Sequence, residues 1–159
     1  FAANPALARD PRFALYPEWM RDQVAGFAEG SGGGPSGGGT ADPEAPGRML
    51  MDIFKAGGRI VAGTDSPNGI DLHGELAAYV GAGMTPYQAL RAATVTPAEA
   101  LGLDAGSVEA GKLADLVMVE GNPLEDISAA YRVKRVIANG RLYELEALVT
   151  GHAPTLKRE

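Results

Sequence analysis

The chain has 159 residues, which fits one ordinary domain and is too short for a complete eight-stranded α/β barrel of about 250 residues. Its net charge of −6 offers no electrostatic match to phosphate backbones or anionic membranes, so we expect neither nucleic acid nor a membrane as a partner. The absence of Cys excludes disulfides, thiolate metal ligands and Cys nucleophiles, and it leaves the cellular compartment open.

The N-terminal region predicts one helix and one irregular loop. From Glu18 to Glu29, the residues Met20, Val24 and Phe27 recur at helical spacing, which indicates a short amphipathic helix. Every residue from Gly30 to Gly39 is Gly, Ser or Pro, a composition that loses much backbone entropy on ordering and has little to bury. We expect a mobile loop, and it can be either an interdomain linker or a lid over a site.

A helix followed by a buried strand is predicted next. The apolar residues from Met49 to Phe54 fall on one helical face, and Gly57-Gly58 provides a stop signal. Arg59 to Gly63 is a short, almost uninterrupted apolar run with β-branched residues, which is typical of a strand buried on both faces of a parallel sheet. This order predicts an α/β fold.

A further helix is predicted directly after this strand. Asp71 is expected to cap it, the apolar positions continue to Val80, and Gly81 and Gly83 are expected to end it. The sequence therefore repeats the strand-then-helix order of an α/β protein.

Two more helix starts carry nearly the same capping signal. Thr85-Pro86-Tyr87-Gln88 and Thr96-Pro97-Ala98-Glu99 each combine a Thr cap, a Pro at the first helical position and Gln or Glu three residues after the cap. We predict a capping box at both, with Gly102 ending the second helix.

The C-terminal part is predicted to be a small β unit. Leu116 to Val119 and Val133 to Ala138 are strand-like, and Asn139-Gly140 before Arg141 to Tyr143 is a strong hairpin signal because a type I′ turn needs two positive φ angles. The polar tail from Gly151 is expected to fray.

Asp65 is the main candidate for chemistry. It follows the predicted strand in Gly63-Thr64-Asp65-Ser66, at the end where α/β barrels gather their ligands and catalytic groups. The alternative is that Asp65 only organises the turn through Gly69. His73 lies in the first turn of the next predicted helix and can line the same cleft, although a packing or hydrogen-bonding role is favoured from the residues alone.

A metal site is not complete in this sequence. The only His residues are His73 and His152, whereas a catalytic zinc site normally takes three protein ligands and a water. Ser66 has no convincing general base beside it, and Asp115 more often fixes a turn. We therefore expect the chain alone to hold no metal tightly.

Several motifs, in order, resemble the end of the amidohydrolase superfamily, particularly its imidazolonepropionase-like and prolidase-like members. The similarity covers roughly residues 45 to 145. It is carried by Ala56 to Asp65, Leu72-His73-Gly74-Glu75-Leu76, Gly83 to Pro86, Ala89 to Thr94, Gly111 to Val117 and Val136 to Arg141.

The resemblance implies part of a metal-dependent-hydrolase β/α (TIM) barrel together with strands of a small β-sandwich. Residues 1–105 would be the last β/α units of the barrel and include the Gly-rich loop at 30–39. Residues 106–150 would be the C-terminal strands of the sandwich, and residues 151–159 a tail.

The resemblance also implies the chemistry. Asp65 would be a metal ligand and a catalytic proton carrier, His73 would contact substrate, and the metal would be a divalent ion, with zinc expected. The substrate would be a small amide or a dipeptide, whose carbon–nitrogen bond a metal-bound hydroxide attacks.

The family's His-x-His motif and its other metal ligands are absent from this sequence. The resemblance therefore implies a C-terminal portion that is inactive alone and takes its missing ligands from an N-terminal remainder of the same enzyme. A homo-oligomer is compatible with this interpretation. The alternative is a non-catalytic interaction module derived from such an enzyme.

Overall fold

The computed structural model describes residues 11–22, 42, 44–64 and 69–150. Residues 18–22 are helical, and the remainder of the helix predicted from Glu18 to Glu29 lies outside the described residues, as do the Gly-rich stretch at 30–39 and the tail at 151–159. No helix in the described ranges combines the length and the apolar character needed to cross a membrane.

The chain divides into two compact units. One comprises Phe1–Thr40 with Glu144–Glu159, and the other comprises Ala41–Tyr143. In the described part of the first unit lie a 3-10 helix at Pro11–Leu15 and a short helix, α5, at Leu145–Val149. The division predicted at residues 105 and 106 stays a prediction.

Four helices form the larger part of the second unit. They are α1 at Ala45–Lys55, α2 at Asp71–Ala82, α3 at Pro86–Ala93 and α4 at Val95–Leu101. The apolar faces of α1, α2 and α3 meet in one buried cluster, which consists of Met51, Leu76, Tyr79, Met84, Ala89 and Ala92.

Small side chains let α3 approach the other elements of this cluster closely. Ala89 and Ala92 are 0% and 3% exposed, and Ala92 is near enough to the extended chain before α2 for its carbonyl to accept a backbone hydrogen bond from Ala62 at 2.8 Å. Burial of these side chains removes apolar surface from water, which is the main favourable contribution to folding.

The segment predicted as a strand from Arg59 to Gly63 is extended but forms no β-ladder with any described residue. Its burial also differs from the prediction. Ile60 and Ala62 are half-buried and alternate with exposed residues, so one face is covered and the other open. A strand buried on both faces needs neighbouring strands to receive its backbone hydrogen bonds. The described residues provide only the Ala92 carbonyl.

The ends of α1 and α2 agree with the predicted glycine signals. Gly57 follows α1 at φ 85°, and Gly83 ends α2 at φ 117°, in the left-handed region that glycine adopts without steric cost. Gly81 lies inside α2 and does not end it. The prediction that Asp71 caps α2 was wrong, because the chain is already wound at Ile70, whose carbonyl accepts the His73 amide at 3.1 Å.

One of the two predicted capping boxes is present. Thr85 accepts from the Gln88 amide at 3.2 Å, and the Gln88 side chain accepts from the Thr85 amide at 2.8 Å. The second was wrong: α4 begins two residues before the expected position, with Thr94 as its N-cap and no side-chain cap. The Thr94 carbonyl accepts from Ala98 at 3.3 Å and starts the helix early, which places Pro97 within the first turn, where no amide donor is required. Gly102 ends α4 as predicted.

The predicted β unit is a three-stranded antiparallel sheet in the order β1-β2-β3. The strands are β1 at Leu116–Val119, β2 at Val133–Ala138 and β3 at Arg141–Glu144. Asn139 and Gly140 join β2 to β3 at φ 49° and 74°, which confirms the hairpin turn. The fold is thus mixed, with helices first and a small sheet after them.

Gly106 provides a test of the packing between the helices and the β unit. A Cβ at this residue would lie 2.5 Å from the Thr94 carbonyl oxygen and 2.9 Å from the Val95 Cα. We expect Gly106→Ala to lower the free energy of unfolding by about 1–3 kcal/mol more than Gly111→Ala. Gly111 has a similar φ of 91°, but a Cβ placed there would meet no atom within 4 Å, so it isolates the backbone strain. Equal losses in urea denaturation would contradict the predicted contact.

Tyr79 provides a test of the buried cluster. Burial raises the pKa of its hydroxyl above 10.0, and the Glu75 carboxylate, by its charge and its hydrogen bond, raises this pKa further. Because the folded state holds the proton more tightly, stability is lost as pH rises above the unfolded pKa of about 10. Between about pH 8 and pH 11, we expect the wild type to lose more unfolding free energy than Tyr79→Phe, which has no hydroxyl to ionise. Parallel losses in denaturation at both pH values would contradict this prediction.

Candidate active site

An extended segment leads to the main candidate residue, Asp65. In residues 58–64, Ile60 and Ala62 pack against the buried cluster, the Ala62 amide donates to the Ala92 carbonyl of α3, and Val61 is 48% exposed. Residues 65–68 lie outside the described residues. The functional roles assigned to Asp65 and the turn role considered for it therefore stay predictions.

His73 lies in the first turn of α2, a short distance after Asp65 in the sequence. It is half-buried, and its Nδ1 atom is not exposed to solvent. Its ring meets the ring of Tyr131 edge to face, with centroids 5.1 Å apart and an interplanar angle of 76°. This is one of the favoured geometries of aromatic pairs. The structure thus shows a packing contact for His73, whereas its predicted contact with substrate stays a prediction.

Tyr131 is the last residue of a second 3-10 helix, Ile127–Tyr131, which packs against α2. Ala129 is fully buried, and Ile127 and Ala130 pack against the buried cluster of the helices. This short helix therefore brings a residue from between β1 and β2 to the start of α2.

The start of this 3-10 helix is fixed by Asp126. Its carboxylate accepts from the Ser128 amide at 2.9 Å and from the Ser128 hydroxyl at 2.6 Å. The hydroxyl bond is the largest cause that lowers the pKa of Asp126, and the amide bond is the next. The Asp-x-Ser spacing is a local signal that indicates this turn. The contact between Tyr131 and His73 has no such signal, because 58 positions separate the two residues.

Two further polar clusters stabilise turns. Asp115 accepts from the Asn139 amide at 2.6 Å, which supports the turn role considered for it. Ser107 donates to Glu109 at 2.6 Å, and Lys112 donates to both residues, so this group closes the loop before β1. The Ser107 hydroxyl is the largest cause that lowers the pKa of Glu109.

A cleft of about 230 Å³ lies beside the extended segment, between α1, α3 and α4. On its wall, Arg59 pairs with Glu99 at 2.7 Å, and Arg91 lies 3.8 Å from the same carboxylate. All three side chains are more than one third exposed, so water screens these pairs and each contributes little to stability. Arg59 lies 32 and 40 positions before Arg91 and Glu99 in the sequence, and no sequence motif signals their meeting.

No metal centre is formed by the residues that the structure describes. They contain no group of three His, Asp or Glu side chains arranged to hold a metal ion. A catalytic metal commonly takes three protein ligands, so the described residues alone do not fit one. His152 and Ser66 lie outside the described ranges.

The sequence matches a known family over more than half of its length. Residues 46–143 match the Amidohydrolase family. Among curated proteins, the adenine deaminase of Methanosphaera stadtmanae is 47% identical over 58 residues, which are 36% of this chain and 10% of that protein. The ochratoxinase of Aspergillus niger is 40% identical over 93 residues, which are 56% of this chain and 19% of that protein.

Solved structures give a concordant result. A Xaa-Pro dipeptidase with methionine bound in its active site aligns with a TM-score of 0.57 at 30% identity, over 88% of this chain and 33% of the other. A putative prolidase from Bifidobacterium longum aligns with a TM-score of 0.55 at 36% identity, over 63% and 26% of the two chains. The chain thus spans a third or less of the length of these relatives.

Proposed function

The chain belongs to the amidohydrolase family, and from this membership we propose that it is the C-terminal portion of a hydrolase that cleaves carbon–nitrogen bonds in small amides or dipeptides. The names of its relatives support this bond type: a deaminase removes an amino group, and a dipeptidase cleaves the amide of a dipeptide. The family match over residues 46–143 is the observation that carries the proposal.

In this proposal, residues 1–105 form the last β/α units of a barrel and residues 106–150 form strands of a small β-sandwich. The extended segment at 58–64 supports the first part. One of its faces packs against the buried cluster, and its backbone meets no strand among the described residues, as expected of a strand whose neighbours lie elsewhere in the protein. The three-stranded sheet after residue 115 supports the second part.

A divalent metal, with zinc as our expectation, belongs to the same proposal. Because the described residues do not fit a metal by themselves, its other ligands would come from an N-terminal remainder of the protein, with Asp65 as one acidic ligand. When bound, such an ion polarises a carbonyl and lowers the pKa of water. We therefore expect the metal content of the full-length protein to exceed that of this chain alone.

Asp65 is assigned the proton transfer. Asp65 directly follows the segment at 58–64 in the sequence, and general acid–base catalysis requires a carboxylate that the fold holds in place. Asp65 would accept a proton from the attacking water and deliver it to the leaving nitrogen. The reaction is then a hydrolysis. Water adds across the scissile carbon–nitrogen bond, and no oxidant or other co-reactant is needed.

The test is Asp65→Asn in the full-length protein, with Xaa-Pro dipeptides and N-acyl amino acids as substrates. We expect kcat to fall by about 10²–10⁴-fold, because an amide cannot carry the proton, while the midpoint of thermal unfolding stays close to that of the wild type. Asp104→Asn is the matched control, since Asp104 is an exposed Asp in the loop after α4. We expect this control to retain wild-type turnover.

Two outcomes would contradict the proposal. Turnover retained in Asp65→Asn would exclude the proton-transfer role. A full-length wild-type protein that unfolds cooperatively, binds no metal and cleaves none of these substrates would instead favour the alternative, a non-catalytic interaction module derived from such an enzyme.

A further inference from the structure

The turn between β2 and β3 contains a chemically labile pair of residues, Asn139 and Gly140. Asparagine is thermolabile, because the backbone nitrogen of the next residue can attack the side-chain amide carbon and displace ammonia. Glycine hinders this attack least, since it has no Cβ beside the attacking nitrogen. Both residues are exposed, so burial does not keep water or base away from the turn.

Two adjacent residues before β1 hold both backbone amides of this turn. The Asn139 amide donates to the Asp115 carboxylate at 2.6 Å, and the Gly140 amide donates to the Ala114 carbonyl at 3.1 Å. The bond to Asp115 is charge-assisted and therefore stronger than a bond between neutral groups. Together these two hydrogen bonds form a clamp on the turn.

The clamp opposes the attack in two ways. The Gly140 nitrogen has to lose its proton before it can attack, and donation to the Ala114 carbonyl stabilises the protonated form. The clamp also holds the amides on both sides of the Asn139 Cα, at φ angles of 49° and 74°. Rotation of the backbone at Asn139 therefore requires one of the two hydrogen bonds to break.

We propose that Asn139 is a site of spontaneous deamidation whose rate is set by opening of the clamp. In this reaction, base takes the proton of the Gly140 amide, the nitrogen bonds to the side-chain carbonyl carbon of Asn139, and the side-chain nitrogen leaves as ammonia with a proton from solvent. Water then opens the cyclic imide at either carbonyl and leaves aspartate or isoaspartate at position 139. The net change is the entry of water and the loss of ammonia. The inference is independent of the proposed function, because it requires no turnover.

Both products weaken the hairpin. An aspartate adds a negative charge to the turn that Asp115 already contacts, and like charges repel. An isoaspartate adds a carbon to the main chain. The two amides of the turn then no longer match their acceptors while β2 keeps its register with β1.

The experiment follows deamidation in the full-length protein, folded in buffer and unfolded in urea, at the same pH and temperature. Trypsin, which cleaves after Lys and Arg, releases Asn139 in the peptide 136–141. Mass spectrometry of this peptide measures the replacement of the amide by a carboxyl group. We expect deamidation to be at least about tenfold slower in the folded protein, because it requires local opening. Asn122 is the internal control, since it precedes Pro123, which has no N–H to lose.

Variants of Asp115 test the clamp in the folded protein. We expect Asp115→Ala to deamidate about tenfold faster at Asn139 than the wild type, because loss of a bond to a charged acceptor lets the turn open more often. Asp115→Asn keeps an acceptor oxygen and is expected to stay within about threefold of the wild type. Asp104→Ala removes an exposed Asp from the loop after α4 and is the control, with the wild-type rate expected.

Hydrogen exchange in the wild type tests the clamp without a variant, should Asp115→Ala fail to fold. We expect the Asn139 and Gly140 amides to exchange at least about tenfold more slowly than in the urea-unfolded chain, because both are hydrogen-bonded in the turn.

Three results would overturn the proposal. Absence of deamidation at Asn139 even in urea would exclude this site. Equal deamidation rates in the folded and unfolded protein, or exchange of both amides at the rates of the unfolded chain, would exclude protection by the clamp. A wild-type rate in folded Asp115→Ala would show that Asp115 does not control the reaction.

Discussion

The close approach of α3 to its neighbours is the constraint on which the helical part of the chain depends. Ala89 and Ala92 have no side chain beyond Cβ, and both are buried among the larger residues of α1 and α2. The resulting proximity lets the Ala92 carbonyl bind the Ala62 amide. A larger side chain at Ala92 would separate α3 from the segment at 58–64. The hydrogen bond between the Ala62 amide and the Ala92 carbonyl, three residues before Asp65 in the sequence, would then be lost.

The sequence alone could predict those features of the fold that depend on residues close together in the chain. The Thr85 capping box, the left-handed glycines at 57, 83 and 102 and the Asn139-Gly140 turn were all predictable, because each is determined by residues within a few positions of one another. The start of α4 at Val95 was missed, because its N-cap Thr94 forms no side-chain cap and has neither the Pro nor the Glu that follow Thr96. The exposed face of Val61 was missed because burial depends on which strands are present as neighbours.

The features of the candidate site also divide into those that could be predicted from the sequence and those that could not. The position of Asp65 after an apolar run was legible, and the turn role of Asp115 followed from its place before a strand. The contact of His73 with Tyr131 and the meeting of Arg59 with Glu99 were not predictable. They join residues 58 and 40 positions apart, and no periodicity in one segment reports on the other. A sequence can therefore indicate a single residue with catalytic chemistry. The contacts that orient side chains are formed only when distant parts of the chain pack together.

The turn at Gly106 has a consequence for how this region of the family can diverge. Its φ of 86° and its proximity to the backbone of Thr94 and Val95 leave no room for any side chain. Substitutions are therefore disfavoured at this point, where the chain passes from the helices to the sheet. At Gly111 and Gly140 a side chain would meet no neighbouring atom, so only the strain of their positive φ angles opposes substitution there. Within this stretch, the fold determines where new sequence can accumulate.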